Sequence, residues 1–157
     1  MKNKRIVLGY GNKNAKIIII GQNPGTQEVK QGRPFVGPAG KWLNKILKKN
    51  KINRNKLYIT NVVKTKTPNN RRPNEKEIKK WLPALKKEIK QIKPKIIVLL
   101  GETASLALLN KKINGIRGKF IRKGKITYLP TYHPSAARFT KIRKKIEKDF
   151  AKIKKFK

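Results

Sequence analysis

The chain has no cysteine and only one histidine, His133, among its 157 residues. Disulfides, thiolate-held metals, cysteine nucleophiles and multi-histidine metal sites are thereby excluded. Acidic side chains are scarce, seven Asp and Glu against 43 Lys and Arg, for a formal net charge of +36. Long apolar runs are missing as well, since none approaches the roughly 20 residues a bilayer-spanning helix needs. The N-terminal stretch MKNKRIVLGYGNKNAK is basic, but no small-residue cleavage site follows its short apolar part. These absences lead us to expect a soluble, intracellular protein (cytoplasm or nucleoid, nucleus in a eukaryote) with no cofactor and no membrane partner. The length suits one domain over 1–157 with a core of its own, and a monomer is expected.

What the chain has in excess is positive charge. Neutralising phosphates with release of counterions drives sequence-independent binding to nucleic acid, so DNA or RNA is the expected partner. The plainer explanation is a Lys/Ile/Asn bias, visible in KKNKINRNK, which makes any surface basic. An anionic membrane surface competes less well, because no segment reads as an amphipathic anchor.

Four short β-branched runs read as strands: Ile17–Ile20, Leu57–Thr60, Ile96–Leu100 and Ile126–Leu129. Helical spacing lies between and after them. Lys41–Lys49 puts Trp42, Ile46 and Leu47 on one face, and Glu75–Ile92 follows a candidate N-cap at Asn74. Pro83 predicts a kink or break in the latter. Glu102–Leu109 and a long basic helix over Phe139–Phe156 complete the set. Strands alternating with helices imply an α/β fold, a three-layer α/β/α sandwich with a central four-stranded parallel sheet.

The segment Gly21–Gly40, GQNPGTQEVKQGRPFVGPAG, is the most informative in the chain. It leaves the end of a buried strand, where ligands bind in α/β sheets. Ordinary strand-to-helix connections take about two to six residues, and much longer ones are usually functional or disordered. Its internal Phe-Val-Gly argues against disorder.

Three further motifs stand in order: Thr60-Asn61-Val62-Val63-Lys64 with PNNRRP after it, Leu100-Gly101-Glu102-Thr103-Ala104, and Tyr132-His133-Pro134-Ser135. With GQNPG and GRPFVGPAG they resemble the uracil-DNA glycosylase superfamily, most closely its iron–sulfur class, family 4, over about Arg5 to Arg138. The resemblance implies a DNA repair enzyme that flips uracil from single- or double-stranded DNA and hydrolyses its N-glycosidic bond. That chemistry develops positive charge on the sugar and negative charge on the departing base. It calls for a donor to the base, a positioned water, a stacking surface and a base-reading edge, with the base out of its stack.

By that resemblance, His133 donates to uracil O2, Asn61 reads the N3–O4 edge, and Phe35 stacks on the base. A lone His or strand-end Asn is otherwise often structural. Gly21 and Gly25 allow close backbone approach. Gln22 and Asn23 stand where family 4 has Glu-Ala, and Asn23 falls on the water-positioning site of other classes. An amide orients water but accepts no proton. Glu28 matches a second acidic position and either serves the substrate, orders the loop or makes a salt bridge. Ser135 and the pair Arg71-Arg72 are candidate phosphate contacts, and Arg138 is a DNA-binding candidate in the segment where the family carries bulky residues that wedge into the minor groove. Family 4 holds a [4Fe–4S] cluster with four cysteines, two of whose positions align with Thr65 and Trp81, so no cluster is expected here. Two alternatives stay open: a broader range of bases (hypoxanthine, xanthine, mispaired thymine), or a silent uracil- or DNA-binding protein.

Overall fold

The strands are runs of β-branched residues because both faces of a covered parallel sheet are dry. The computed structural model of the protein describes residues 5–156. Four strands form the parallel centre: β2 (Ile17–Gly21), β3 (Tyr58–Asn61), β4 (Ile96–Leu100) and β6 (Ile126–Thr131). Two short strands, β1 (Tyr10–Gly11) and β5 (Ile121–Lys123), add antiparallel edges. The order is β1-β3-β2-β4-β6-β5, so the sheet has six strands and not four. The edges were not foreseen because two or three residues carry no readable period.

Alternate residues of each strand enter two separate cores. Ile17, Ile19, Ile59, Val98 and Leu129 face α2 (Pro38–Lys49) and α5 (Thr140–Ala151), which contribute Leu43, Ile46, Leu47, Ile146 and Phe150. Ile18, Ile20, Tyr58, Ile97 and Leu99 face α3 (Glu75–Ile92) and α4 (Glu102–Leu109), which contribute Leu85, Ile89, Ile92 and Leu108. The three-layer arrangement follows from this period of two in strands buried on both sides.

Three local expectations change. Gly21–Gly40 is not devoid of structure: α1 (Thr26–Gln31) lies within it, and α2 starts at Pro38 rather than Lys41. None of the α1 residues is buried, so it left no apolar pattern, whereas Pro38 at the first helical position fits the known preference there. Pro83 does not break α3, which runs uninterrupted over 18 residues. Pro83 and Lys79, whose carbonyl loses its partner, both lie on the exposed side, while Leu85, Ile89 and Ile92 anchor the opposite face. The C-terminal helix ends at Ala151, and a separate turn covers Lys154–Phe156. Asn74 does cap α3, accepting from the Glu77 N–H at 2.9 Å.

Candidate active site

The parallel strands all end along one edge of the sheet. Loops leaving β2, β3, β4 and β6 there enclose a cleft of about 750 Å³. A larger cleft beside it lacks any histidine, whereas this one gathers Gln22, Asn23, Phe35, Asn61, His133 and Ser135. Gln22 and His133, 111 positions apart in sequence, thus meet because the strands they follow, β2 and β6, run parallel on either side of β4 and end along the same edge.

Asn61 is the last residue of β3 and is 3 % exposed. Its Oδ1 is buried without a hydrogen-bond partner, the one such side-chain atom among the described residues. A buried acceptor left unpaired costs about 1–3 kcal/mol, so its retention points to a ligand that satisfies it. Gly21 lies directly beneath: a Cβ there would stand 2.6 Å from Asn61 Oδ1 and collide with the Phe35 ring. The glycine is what lets amide and ring close over the end of β2.

Phe35 has a left-handed backbone, φ 54°, unusual for a bulky residue. Its place is held from two sides. Arg54 donates to the carbonyls of Pro34 and Phe35, both at 2.9 Å, and to Asn44 Oδ1 at 2.6 Å. A side chain on Gly40, in the first turn of α2, would strike the Phe35 carbonyl. Across the cleft the Phe35 and His133 rings stand 5.7 Å apart, tilted by 31°.

His133 follows β6 and caps the turn Pro134–Ala136. Its Nδ1 accepts the Ser135 backbone N–H at 3.1 Å and lies 3.0 Å from Ser135 Oγ. A backbone N–H can only donate, so Nδ1 carries no proton and the neutral ring holds its hydrogen on Nε2. Part of the ring opens to the cleft, yet dense packing around it desolvates the charged form and pushes its pKa down to about 4. As the sole histidine, its Cε1–H proton gives one unambiguous NMR signal. We expect that signal to titrate near pH 4 rather than 6.5, and a midpoint of 6 or above would overturn the assignment. The depressed pKa means the unfolded chain binds the proton first. Stability is therefore lost as pH falls from about 6.5 towards 4, and the loss is complete below that.

Gln22 and Asn23 hold each other. Thr103 Oγ1 donates to Gln22 Oε1 at 2.9 Å, and Gln22 Nε2 donates to Asn23 Oδ1 at 3.1 Å. Asn23 Nδ2 in turn donates to the Pro24 carbonyl and to Thr67 Oγ1, at 3.2 and 3.4 Å. The chain of bonds fixes which way each amide points and leaves Asn23 Oδ1 a second lone pair.

Glu28 also lines the cleft, and its carboxylate accepts three backbone N–H groups, from Gly25 at 3.0 Å, Val36 at 2.8 Å and Gly37 at 2.7 Å. It ties the start of α1 to the Phe35 segment and the start of α2. Of the foreseen arginines, Arg72 reaches the cleft, while Arg71 is engaged by Glu77 at 2.6 Å and Arg138 lies 4.8 Å over the Phe139 ring. Neither Arg71 nor Arg138 lines the cleft; Ser135 does, as does Gly25.

Sequence reasoning gave no role to Arg54, nor to Thr103 and Lys64, which stand inside its motifs. Lys64 is fully buried; its Nζ donates to Thr60 Oγ1 at 2.6 Å, to the Asn61 carbonyl at 2.5 Å and to Glu88. Glu88 further accepts from Tyr58 and Thr60, and burial lowers the Lys64 pKa against the pull of Glu88. Lys64 thus clamps the main chain of the residue whose amide faces the cleft. Lys64→Met leaves Glu88 without its cation and is expected to destabilise the fold by about 3 kcal/mol, read by denaturant unfolding. Adding Glu88→Gln is expected to restore most of that loss.

An iron–sulfur cluster does not fit these residues. Thr65 is buried, Trp81 packs against the core beneath α3, and neither supplies a thiolate. Among the described residues no three His, Cys, Asp or Glu converge as a metal site. Elemental analysis of the purified protein is expected to find far less than one iron per chain.

Comparison with known proteins agrees with this geometry. The family model for the uracil DNA glycosylase superfamily matches residues 8–155. A type-4 uracil-DNA glycosylase of Saccharolobus solfataricus is 43 % identical, over 96 % of this chain and 76 % of that protein. One from Sulfurisphaera tokodaii is 43 % identical over 94 % and 73 %, and one from Archaeoglobus fulgidus 37 % over 94 % and 79 %.

Proposed function

The chain belongs to the uracil-DNA glycosylase superfamily, and on that footing we propose that its cleft takes a uracil flipped out of DNA and hydrolyses the N-glycosidic bond, leaving an abasic site. One observation carries the reading above all others, the buried, unpartnered Oδ1 of Asn61. Uracil offers an N3–H donor to such an atom and O4 as acceptor to the amide NH2; cytosine reverses both groups. Phe35 supports a stacked base, and Gly21 leaves room for it.

As the bond between C1′ and N1 lengthens, its electron pair leaves with the base. The Nε2–H of neutral His133 is suited to stabilise that charge at O2, and being uncharged it has no need to lose a proton. In a low-dielectric site from which water is excluded such a donor is worth far more than in bulk solvent. Asn23 Oδ1 supports a water on the sugar side; the water adds its oxygen to C1′ and its proton passes to solvent. Loss of a general base is tolerable, because base help is typically worth about 10²- to 10⁴-fold and an oxocarbenium-like carbon is strongly electrophilic.

Incubating the protein with single- and double-stranded uracil oligonucleotides, then treating with alkali, tests the reading. Strand breaks at uracil support it. Salt-sensitive binding without abasic product would instead mark a silent DNA-binding protein. No helix among the described residues is long and apolar enough to cross a membrane.

A further inference from the structure

Beside the base pocket lies a larger cleft of about 910 Å³ that the mechanism leaves unused. Its walls are β1 with the turn after it, the segment Arg33–Val36, the first half of α2, and the turn Arg54–Lys56. Its charged lining is all of one sign, Lys13, Arg33, Lys41 and Arg54, and no carboxylate faces it. Phe35 lines both clefts, so the two meet at the proposed stacking ring.

Positive charge by itself distinguishes nothing on this surface; three other features do. The cleft is concave, and low-dielectric walls focus the field of like charges gathered around them. Two of its cations lie against aromatic rings: Arg33 is 5.4 Å from the ring of Tyr10, which lines the cleft, and Lys13 is 5.2 Å from the ring of the buried Tyr58 behind it. The Tyr10 side chain nevertheless leaves the residue 56 % exposed. Finally, Arg54 cannot move away from Arg33, because the Phe35 segment and Asn44 hold it. Burial and the charge of Arg33 together lower its pKa. Arg54, held beside Arg33 with no carboxylate in the cleft lining, is relieved by an anion. Cationic grooves with exposed rings are how sequence-tolerant sites track a single strand.

We propose that this cleft is a strand groove, holding backbone phosphates of the DNA strand that runs on from the flipped nucleotide past Phe35. The proposal rests on the glycosylase reading for the identity of its polyanion. Phosphate oxygens meet Arg33, Lys41 and Lys13, and the face of Tyr10 is open to a neighbouring base.

The test compares two charge-matched double variants of the full chain, Arg33→Gln/Lys41→Gln in the cleft and Lys86→Gln/Lys87→Gln on the exposed side of α3. Binding of a labelled single-stranded uracil oligonucleotide is followed by anisotropy across a salt series. Each phosphate contact on single strands contributes about 0.7 to the slope of log K against log salt, so the cleft variant is expected to lose about 1.4 and the α3 variant much less. Single-turnover excision at saturating protein should stay within about twofold of wild type in both, since neither variant touches the base pocket. Equal slope losses in the two variants would mean a diffuse field and overturn the groove. Inorganic tripolyphosphate provides the other arm. If it stabilises the wild type and not the cleft variant while the DNA slopes remain equal, the cleft takes a free polyphosphate and the strand assignment is wrong. A wild type that makes no abasic product yet shows the slope difference would sink the glycosylase reading and leave the groove standing.

Discussion

Asn61→Ala is expected to reduce the preference for uracil over cytosine by about 10⁴-fold, the range seen when a site built to hydrogen-bond one partner loses that group. The side chain faces the cleft from the end of a buried strand, and its backbone carbonyl is gripped by Lys64. That grip fixes where the Asn61 main chain stands at the edge of the cleft, and the amide presents Oδ1 as a buried acceptor with no partner. Cytosine would set an acceptor against Oδ1 and a donor against the amide NH2, an arrangement costly in a desolvated pocket. Alanine removes the objection to cytosine together with the welcome for uracil. The measurement is single-turnover release of each base from matched oligonucleotides, scored as alkali-labile sites. An unchanged ratio would show that selectivity lies elsewhere. Stability should move the other way. Oδ1 has no partner in the fold, so its loss forfeits no bond, and the melting temperature is expected to hold or rise. A residue whose removal harms selectivity but not folding is there for its ligand.

The second large effect is on rate. His133→Ala is expected to slow excision at saturating protein by about 100- to 1,000-fold, the usual penalty for one preorganised donor to a developing anion. Binding of uracil DNA should change little, because the donor matters most when the base carries negative charge. His133→Gln, which keeps an N–H of similar reach, should recover part of the loss. The variant also offers a separate check. The neutral ring makes the fold lose stability between about pH 6.5 and 4, so in His133→Ala that acid dependence should disappear. A rate loss under tenfold would demote His133 from donor to a wall of the cleft.

The parts of this molecule that could be read from sequence are those whose cause is local. Runs such as Ile96–Leu100 announce buried strands, and the Asn74–Glu77 pairing announces a helix start within four residues. The edge strands were hidden because Tyr10–Gly11 and Ile121–Lys123 acquire their conformation from a neighbour, not from a pattern of their own. At the site, His133, Asn61 and Phe35 were legible through motif resemblance. Arg54 and Thr103 were not, since their roles exist only in contact with Phe35 and Gln22, 19 and 81 positions away. Lys64 was disguised by abundance, one cation among 43. Only burial tells it apart.

Glu28 tying the loop is one case of a wider habit. Glu77, Glu88, Glu102, Glu147 and Asp149 are likewise bonded within the fold, to Arg71, Lys64, the Ile113 N–H, Lys49 and Arg117. Nearly all seven acidic groups are thus used as internal ties, and what remains outside is close to a shell of one sign. Two copies approaching each other repel across a screening distance of about 8 Å at physiological salt.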